Sequence, residues 1–352
     1  GYNPLSAIGP ETKLHPYQLE ATMNLLATEI NTDCPTITKS AEYQIIQAKK
    51  QLEEASFVQS PTEKKRLVHN AAEIFLSNCT RNLEFDSINK ACTSLIRLGF
   101  DSYAVKIVET HVRYLDEAER AYFWYVNGCN EKELNSIKIF DQVQSIYKCA
   151  YDAAFSDDGM KAILETEDQL FILLVLQHLL HANEINRLLH LEHPLVLEFL
   201  TENAPKLVAQ YYITHKRYKE AVNYLITYAS NINAPDDHPE SEVSFDRRAD
   251  LLQSAMNYAR KENLIEQIEE CKIRIECCKL QKQMSSCIGE PLKPLNELFQ
   301  YAEDHALWSH LLRIIVLMPV DDIIQREKDI YTVWFNFLLN GDGSQQQQTN
   351  FI

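Results

Sequence analysis

The sequence predicts an all-α protein, an irregular α-solenoid of stacked antiparallel helix hairpins. Glycine supplies only 8 of the 352 residues, about 2% where roughly 7% is usual, so few tight β-turns are available. Apolar residues recur at three- and four-residue steps along most of the chain, and the alternation typical of strands is almost absent. The connections between predicted helices are short, about two to six residues, which makes consecutive helices antiparallel neighbours.

Helix boundaries follow from capping residues and prolines, taken in chain order. The stretch Ser60–Glu63, Ser-Pro-Thr-Glu, predicts a helix start because it combines a capping hydroxyl, a proline at the first helical position and a reciprocal glutamate. Similar caps before apolar runs are predicted at Thr166, Asn183 and Ser244. Prolines interrupt otherwise continuous helical patterns at Pro194, Pro205, Pro291 and Pro319. Roughly fifteen helices are expected in all.

The chain is divided into an N-terminal extension (1–14), a first solenoid half (15–181), a second solenoid half (182–340) and a tail (341–352). The tail contains four consecutive glutamines and is expected to be disordered. A long connection at 231–243, rich in proline and acidic residues, is expected to be mobile. Because no tetratricopeptide or ankyrin motif recurs at a fixed period, the hairpins should differ in length, and a compact helical bundle remains an alternative.

Charge and cysteine content narrow the class of function. With 34 Lys and Arg against 50 Asp and Glu, the net charge is −16, so the average surface repels phosphate backbones and no direct nucleic-acid binding is expected. Membrane contact is expected to be indirect, since the longest apolar run, Leu170 to Leu176, has seven residues and a spanning helix needs about twenty. The 9 cysteines form no CxxC pair, which fits free, buried thiols in a reducing compartment.

Motifs of the common enzyme classes are missing. The glycine positions permit no GxGxxG, P-loop or GxSxG sequence. No glutamate is followed by a histidine three residues later, which excludes the paired Glu-x-x-His motif of di-iron bundles. The protein is therefore predicted not to be an enzyme, with no catalytic, cofactor-binding or metal-binding residues and no cofactor.

Two groups of potential metal ligands have simpler structural interpretations. Four histidines form two i,i+3 pairs: His178, His181, His190 and His193. They could hold a metal, but histidines that end an apolar helix also interact with its last carbonyls. Four cysteines lie near one another in sequence: Cys271, Cys277, Cys278 and Cys287. Their spacing matches no common zinc finger, so buried thiols are preferred.

Two acidic pairs and a basic turn could be functional sites, but each also has a simpler interpretation at a helix end or on the surface. Asp157 with Asp158, and Asp321 with Asp322, could form a general-acid pair, but both pairs lie at predicted helix starts, where carboxylates stabilise exposed amides. The basic turn His215–Lys219 has tyrosine neighbours of the kind that stack on bases. A solvated turn is the preferred interpretation there.

Clusters of aromatic residues provide the partner-binding candidates. The run Tyr122–Tyr125 is Tyr-Phe-Trp-Tyr, and four successive helical positions cover most of the helix circumference, so one buried face cannot hold all four rings. Either neighbouring helices cover this helix on several sides, or one ring is exposed as an anchor for a partner. Trp334–Phe337 poses the same question, and a continuing solenoid helix could cover it. The residues selected as partner-binding are Tyr122, Trp124, Tyr212, Arg217 and Tyr218.

Several motifs occur in an order that resembles a known family. The tyrosine pair Tyr211–Tyr212 is followed by a Tyr-x-x-Ala helix at Tyr218–Ala221 and a Ser-x-x-x-Arg helix start at Ser244–Arg248. Upstream, Phe123–Gly128 leads to Ser145–Cys149 in the same order. These residues resemble the C-terminal solenoid of the non-repetitive nucleoporin family, in its one-hundred-fifty-five-kilodalton class of inner-ring scaffold nucleoporins.

The resemblance implies a structural role in the inner ring of the nuclear pore complex, at the nuclear envelope. Such a scaffold supports pore architecture and nucleocytoplasmic transport, including protein transport, by binding other nucleoporins, among them flexible linker nucleoporins through short peptide segments. Grooves between helix hairpins suit peptide docking, and an acidic solenoid favours basic peptides. Family members also carry a β-propeller and a longer solenoid, so the sequence is expected to be a fragment or a truncated relative.

Three other functions stay open at this point. A helical adaptor of vesicle coats has the same composition and the same irregular hairpins. A metal-dependent helical enzyme could use the histidines between His178 and His193. An RNA-binding helical repeat is disfavoured by the net charge of −16.

Overall fold

The computed structural model describes the following residues: 41–79, 83–128, 134–231, 245–284, 292–318 and 323–341. Within these ranges every regular element is a helix and no strand occurs, so the predicted all-α class is confirmed. They contain seventeen α-helices, more than the roughly fifteen expected for the whole chain. The chain forms two compact units, Gly1–Leu188 and Leu189–Ile352, and the predicted division at residues 181 and 182 stays a prediction.

The first unit is built from α1 (Ala41–Phe57), α2 (Pro61–Ser77), α3 (Phe85–Arg97), α4 (Asp101–Leu115), α5 (Arg120–Val126), α6 (Leu134–Lys148), α7 (Asp157–Leu164), α8 (Gln169–His181) and most of α9 (Ile185–Leu189), with a 3-10 turn at Tyr151–Phe155. Consecutive helices pack as the pairs α1 with α2, α3 with α4, and α5 with α6. These hairpins differ in length, as expected for an irregular α-solenoid.

Helix α4 lies at the centre of the first unit. It contacts α2, α3, α6, α7 and the 3-10 turn, and its apolar side chains from Ala104 to Val112 are buried. Helix α7 approaches this centre through Gly159, because a Cβ atom there would overlap the carbonyl oxygen of Ala153 and crowd Asp101. The Ser156 hydroxyl caps α7 by accepting from Gly159 N at 3.0 Å and donates to Asp101 at 2.8 Å.

The second unit contains α10 (Pro194–Asn203), α11 (Pro205–Thr214), α12 (Tyr218–Asn231), α13 (Phe245–Lys261), α14 (Ile265–Gln283), α15 (Leu295–Asp304), α16 (Trp308–Leu317) and α17 (Ile323–Asn340). Each helix packs against the next along the chain. One core cluster draws its buried residues from α11 to α14, and another from α14 to α17. Helix α14 contributes to both, which makes it the shared wall of this unit.

One type of turn recurs at the ends of helices in both units. A single residue adopts positive φ, and the next residue donates its N–H back to a carbonyl in the last helical turn, as at Lys216 (φ 57°), after which Arg217 N bonds Tyr212 O at 2.8 Å. The residues with positive φ in these turns are Gly99, Asn183, Lys216, Asn263 and Ala306. Only one is glycine, so the chain closes its hairpins with few glycines.

The predicted start of α2 is confirmed, but its capping box does not form. Helix α2 begins at Pro61, yet Ser60 makes no side-chain capping bond, and its hydroxyl lies 3.1 Å from that of Thr62. The carboxylate of Glu63 pairs instead with Arg66 at 2.6 Å. Because a charged partner lies one turn along the helix, Glu63 does not return to the backbone of Ser60.

Two other predicted caps are wrong. The Thr166 hydroxyl bonds Ile163 O at the end of α7, and α8 is capped by Asp168, which accepts from Phe171 N at 3.1 Å. Asn183 ends α8 in the left-handed conformation, which asparagine tolerates well, and starts no helix. The breaks at Pro194 and Pro205 are confirmed, since each proline is the first residue of a helix.

Some predictions concern parts of the chain outside the described residues. These are the extension 1–14, the connection 231–243 apart from Asn231, and the tail 341–352 apart from Gly341, together with Ser244, Pro291 and Pro319. Among the helices that can be described, none is long and apolar enough to cross a bilayer.

Candidate partner-binding grooves

The five predicted partner-binding residues fall in both units. Tyr122 and Trp124 lie on α5 in the first unit, while Tyr212, Arg217 and Tyr218 lie around the turn between α11 and α12 in the second. Each group borders a surface groove, and the two places are described in turn.

Helix α5 is held by a buried carboxylate at its start. Asp116 accepts from the backbone N–H groups of Arg120 at 3.0 Å and Ala121 at 2.7 Å. Acidic side chains are favoured there because the first amides of a helix have no intrahelical partner. The position and direction of the aromatic helix are therefore fixed by a side chain in the preceding turn.

Three of the four aromatic side chains of α5 contact neighbouring helices. The Trp124 ring lies 4.8 Å from that of Phe140 on α6, and the Tyr125 ring stacks on the same phenyl at 5.9 Å. The Tyr122 hydroxyl donates to Gln169 of α8 at 2.6 Å. Phe123 is the ring left 55% exposed, and its role as an anchor for a partner stays a prediction. Neighbouring helices cover α5 on several sides, and one ring faces solvent.

Sequence reasoning selected Tyr122 and Trp124 and missed Phe123. One signal was available, because Val126 lies three residues after Phe123 and is also 56% exposed. Positions i and i+3 share a helix face. Recognising that this face was the outer one required knowing that Phe140 approaches from the other side.

Tyr122 lines a strongly acidic groove in the first unit. Its volume is ≈ 580 Å³. Six carboxylates line it: Glu109, Asp116, Glu117, Glu119, Glu167 and Asp168. Arg113 is the basic residue of the lining and pairs with Glu109 at 3.1 Å. We call this the acidic groove, and its chemistry suits lysine or arginine side chains.

Burial and neighbouring charge perturb titrating groups beside the acidic groove. Burial raises the pKa of Glu109, and the carboxylates of Asp168 and Glu167 add to this while Arg113 opposes it. The Tyr147 hydroxyl donates to Asp168, and burial together with that carboxylate raises the tyrosine pKa. A bound cation would relieve the repulsion among these carboxylates.

The second group of predicted residues is engaged within the protein. The Arg217 guanidinium lies 4.9 Å from the centre of the Tyr212 ring and bonds Glu220 at 3.0 Å. Tyr218 stacks on Tyr258 of α13 at 6.3 Å between ring centres. The family-like motif in this region is therefore a set of packing contacts that join α11, α12 and α13.

A larger groove lies beside these residues in the second unit. Its volume is ≈ 800 Å³. The lining consists of Glu192, His193, Pro194, Leu197, Tyr211, Thr214, His215, Lys216 and Arg217. We call it the tyrosine groove. Arg217 is the predicted residue that lines it, whereas Tyr212 and Tyr218 are not among its lining residues.

The wall of the tyrosine groove is ordered by His215. Its Nε2 lies 2.9 Å from Leu189 O, its Nδ1 lies 3.6 Å from the Glu192 carboxylate, and its ring packs 4.4 Å from that of Tyr211. Burial raises the pKa of Tyr211, against the opposing effect of Arg217. Aromatic, basic and acidic groups meet here, which suits the binding of a mixed peptide surface better than chemistry on a substrate.

The histidine cluster has packing and capping roles in the structure. His178 lies against the rings of Tyr151 at 4.9 Å and Phe155 at 5.9 Å. His193 caps α10 by accepting from Leu195 N at 3.3 Å. Among the described residues, no group of three or more His, Cys, Asp or Glu could hold a metal ion.

The described cysteines are buried free thiols, as the sequence predicts: Cys79, Cys92, Cys149, Cys271, Cys277 and Cys278. Burial raises the pKa of Cys271 and Cys277 to about 11 and that of Cys278 to about 12. Cys287 lies outside the described residues. Asp157 begins α7, as predicted, and pairs with Arg187 at 2.9 Å, whereas Asp321 and Asp322 lie outside the described residues.

Comparison with known proteins identifies a family and a fold. The model of the family described as "Non-repetitive/WGA-negative nucleoporin C-terminal" matches residues 12–293. A comparison with curated protein sequences found no significant match.

Solved structures of Chaetomium thermophilum Nup170 resemble this chain. The Nup170 CTD superposes with a TM-score of 0.60 at 16% identity, over 84% of this chain and 60% of that one. The Nup170 SOL structure gives 0.58 at 17% identity, over 89% of this chain and 46% of that one. The Nup170 CTD-Nup145N complex gives 0.60 at 18% identity, over 83% and 64%. At such identities the similarity shows the fold alone, and the chain spans about three fifths of the first of these proteins.

Proposed function

The chain belongs to the non-repetitive/WGA-negative nucleoporin C-terminal family, and on this premise we propose that it is a non-catalytic scaffold segment of the nuclear pore complex. In this role it lies in the inner ring at the nuclear envelope, supports pore architecture and nucleocytoplasmic transport, and binds other nucleoporins. The observation that carries the proposal is the family match across residues 12–293.

The grooves support the binding part of the proposal. A scaffold that takes short peptide segments needs surface grooves between helices, because a peptide gains affinity by placing anchor side chains in preformed pockets. The acidic groove and the tyrosine groove are two such surfaces, and each is bordered by residues selected from the sequence. The complex of the Nup170 CTD with Nup145N is a precedent for one nucleoporin of this fold binding another.

The selected residues divide into two roles under this proposal. Tyr122 and Arg217 line the grooves and contact the partner directly. Trp124, Tyr212 and Tyr218 hold the helices beneath the grooves, since their rings pack against Phe140, Arg217 and Tyr258. Flexible linker nucleoporins are the proposed partners through short segments, with no direct nucleic-acid contact and only indirect membrane contact.

Proximity labelling in cells, with this chain fused to a labelling enzyme, tests the proposal. Enrichment of inner-ring and linker nucleoporins at the nuclear rim is expected, relative to the labelling enzyme alone. Neighbours drawn from vesicle coats or RNA processing, without nucleoporins, would contradict it.

Paired variants test the binding residues in the same assay. Tyr122→Ala and Arg217→Ala are expected to reduce the labelling of linker nucleoporins. Tyr114→Ala and Lys219→Ala are matched controls at exposed positions away from both groove linings. Equal loss with the controls would show that the effect is not due to the grooves.

A further inference from the structure

A third groove, in the first unit, is mostly apolar. It lies where α3, α4 and α6 meet and has a volume of ≈ 440 Å³. The lining residues used below are Leu83, Phe85, His111, Leu115, Asp141 and Ile146. We call it the apolar groove. None of its lining residues was selected from the sequence as partner-binding.

His111, which lines this groove, has a buried ring nitrogen without a hydrogen-bond partner. The residue is only 2% exposed, and its Nδ1 is buried without a hydrogen-bond partner. Burial lowers the pKa of His111, which favours the neutral imidazole. More than about nine in ten buried polar groups are bonded in folded proteins, and leaving one unbonded is costly. A docked segment that offers a matching polar group, once the ring turns enough to expose Nδ1, would remove that cost.

Phe85 leaves apolar surface exposed to solvent in the same groove. It is the first residue of α3 and is 48% exposed, while the neighbouring Leu83 and Ile146 are 8% and 4% exposed. An exposed phenyl ring above a buried apolar floor is the arrangement found where a partner inserts a large side chain. The cavity is large enough for one or two such side chains.

Asp141 fixes the charge at the rim of the groove. It is exposed on α6 and is the charged residue among those lining this groove in the described chain. A carboxylate there attracts lysine or arginine and repels nucleic acid and anionic lipid headgroups. The net charge of −16 acts in the same direction.

We propose that the apolar groove docks a short segment of a partner protein. The segment inserts one large apolar side chain beside Phe85 and Leu115, offers a hydrogen-bonding group to Nδ1 of His111, and places a basic side chain next to Asp141. The inference rests on the proposed scaffold function, because it names a third surface at which the scaffold takes a peptide.

Selection from a peptide library tests this directly. A phage-displayed library of random peptides of about twelve residues is panned against the whole chain, and enriched peptides are synthesised and titrated by fluorescence anisotropy. Peptides that combine a large apolar residue with a neighbouring lysine or arginine are expected. Absence of any peptide whose binding depends on Phe85 would overturn the proposal.

Matched variants locate the binding site. Phe85→Ser and Asp141→Lys are each expected to weaken binding at least tenfold. Phe57→Ser and Asp152→Lys, at exposed positions outside the groove, are expected to leave it unchanged. Thermal melting checks that Phe85→Ser is folded, and Asp141→Lys provides a second test at a surface position. Equal binding by all four variants would overturn the proposal, as would competition for the groove by a second copy of the chain.

The imidazole provides a readout at the atom in question. In protein labelled with ¹⁵N-histidine, the His111 Nδ1 resonance is expected to shift when the selected peptide is added. An unshifted resonance in protein saturated with peptide would contradict the predicted hydrogen bond.

The scaffold function and the apolar-groove proposal can fail separately. Groove-dependent binding without nucleoporin neighbours in cells would overturn the scaffold function alone. Nucleoporin neighbours with binding indifferent to Phe85 and Asp141 would overturn the groove alone.

Discussion

At the scale of single residues, Arg248 shows what the family-like motifs do. It is the arginine of the Ser-x-x-x-Arg motif and is only 1% exposed. Its guanidinium donates to Ala229 O at 2.8 Å and Ser230 O at 3.3 Å, at the C-terminal end of α12. The last carbonyls of a helix carry partial negative charge and lack intrahelical partners. Arg248 therefore joins the end of α12 to the start of α13.

Replacing Arg248 with methionine is expected to destabilise the second unit by about 1–3 kcal/mol, because it removes the guanidinium donor to Ala229 O, whereas Ser230 O still accepts from Leu292 N at 3.2 Å. Urea unfolding followed by circular dichroism measures the loss. Arg247→Met is the matched control, since Arg247 is exposed, and it should change the unfolding free energy by less than about 0.5 kcal/mol. Equal effects of the two substitutions would contradict the role assigned to Arg248.

The burial of Arg248 shows what could not be predicted from the sequence for a single residue. The motif could be quoted from the sequence, but its arginine could not be placed inside the protein, because charged residues are rarely buried without a partner. Its acceptors are backbone carbonyls 18 and 19 residues away. Because every residue has a backbone carbonyl, the residue types in the sequence do not reveal which carbonyls accept from Arg248.

At the scale of elements, the short helix α5 carries both packed and solvent-exposed aromatic side chains. The sequence predicted correctly that its four rings could not share one buried face. It could not rank them, because the partner ring of Trp124 and Tyr125 is Phe140 on the next helix. Which side of a helix is covered depends on such tertiary contacts rather than on its own periodicity.

Alanine substitutions in α5 should have unequal effects. Trp124→Ala is expected to cost about 2 kcal/mol, because its ring packs on Phe140 but is only partly buried. Phe123→Ala should change the unfolding free energy by less than about 1 kcal/mol, because its ring is 55% exposed. Thermal or urea unfolding of both variants measures the difference. A larger loss for Phe123 than for Trp124 would show that the two rings have been assigned to the wrong sides.

Helix α14 carries three buried thiols that make the unfolding free energy depend on pH in the alkaline range. Burial raises the pKa of Cys278 from its ordinary 9.0 to about 12, and those of Cys271 and Cys277 to about 11. The folded state thus keeps protons that the unfolded chain releases. This contribution to stability is fully present below pH 9 and is lost as the pH rises through 11 to 12.

Unfolding free energies measured between pH 8 and pH 10.5 should therefore fall with rising pH. The double variant Cys271→Ala/Cys278→Ala is expected to show a shallower fall, since two of the thiols responsible are gone. Iodoacetamide at pH 8 should label these thiols only after unfolding. An unchanged pH slope in the variant, or rapid labelling of Cys278 in the folded chain, would contradict this account.

At the scale of the whole molecule, composition predicted the class of fold and left the grooves undefined. Scarce glycine and three- or four-residue periodicity indicate helices because they are properties of every local segment. A groove instead needs segments distant in sequence, as where Glu109 and Asp168 meet at the acidic groove, or Glu192 and Arg217 at the tyrosine groove. No single window of sequence contains both sides.

Net charge is a second whole-molecule property that follows from the sequence without a structure, and it predicts how partners approach. A chain with a charge of −16 steers basic peptides toward its surface, and salt screens that attraction. For a fluorescent peptide of net charge about +4, raising NaCl from about 50 to 500 mM should slow association roughly tenfold and change dissociation much less. Stopped-flow fluorescence measures both rates.

A charge-neutralising variant separates steering by the whole surface from attraction by one groove. Glu117, Glu119 and Glu167 are exposed carboxylates that line the acidic groove. Changing all three to glutamine removes only a minor part of the net charge of −16. The association rate should therefore keep more than about half of its salt dependence, because steering sums over the whole surface. Salt-independent association in this variant would instead assign the attraction to the acidic groove alone.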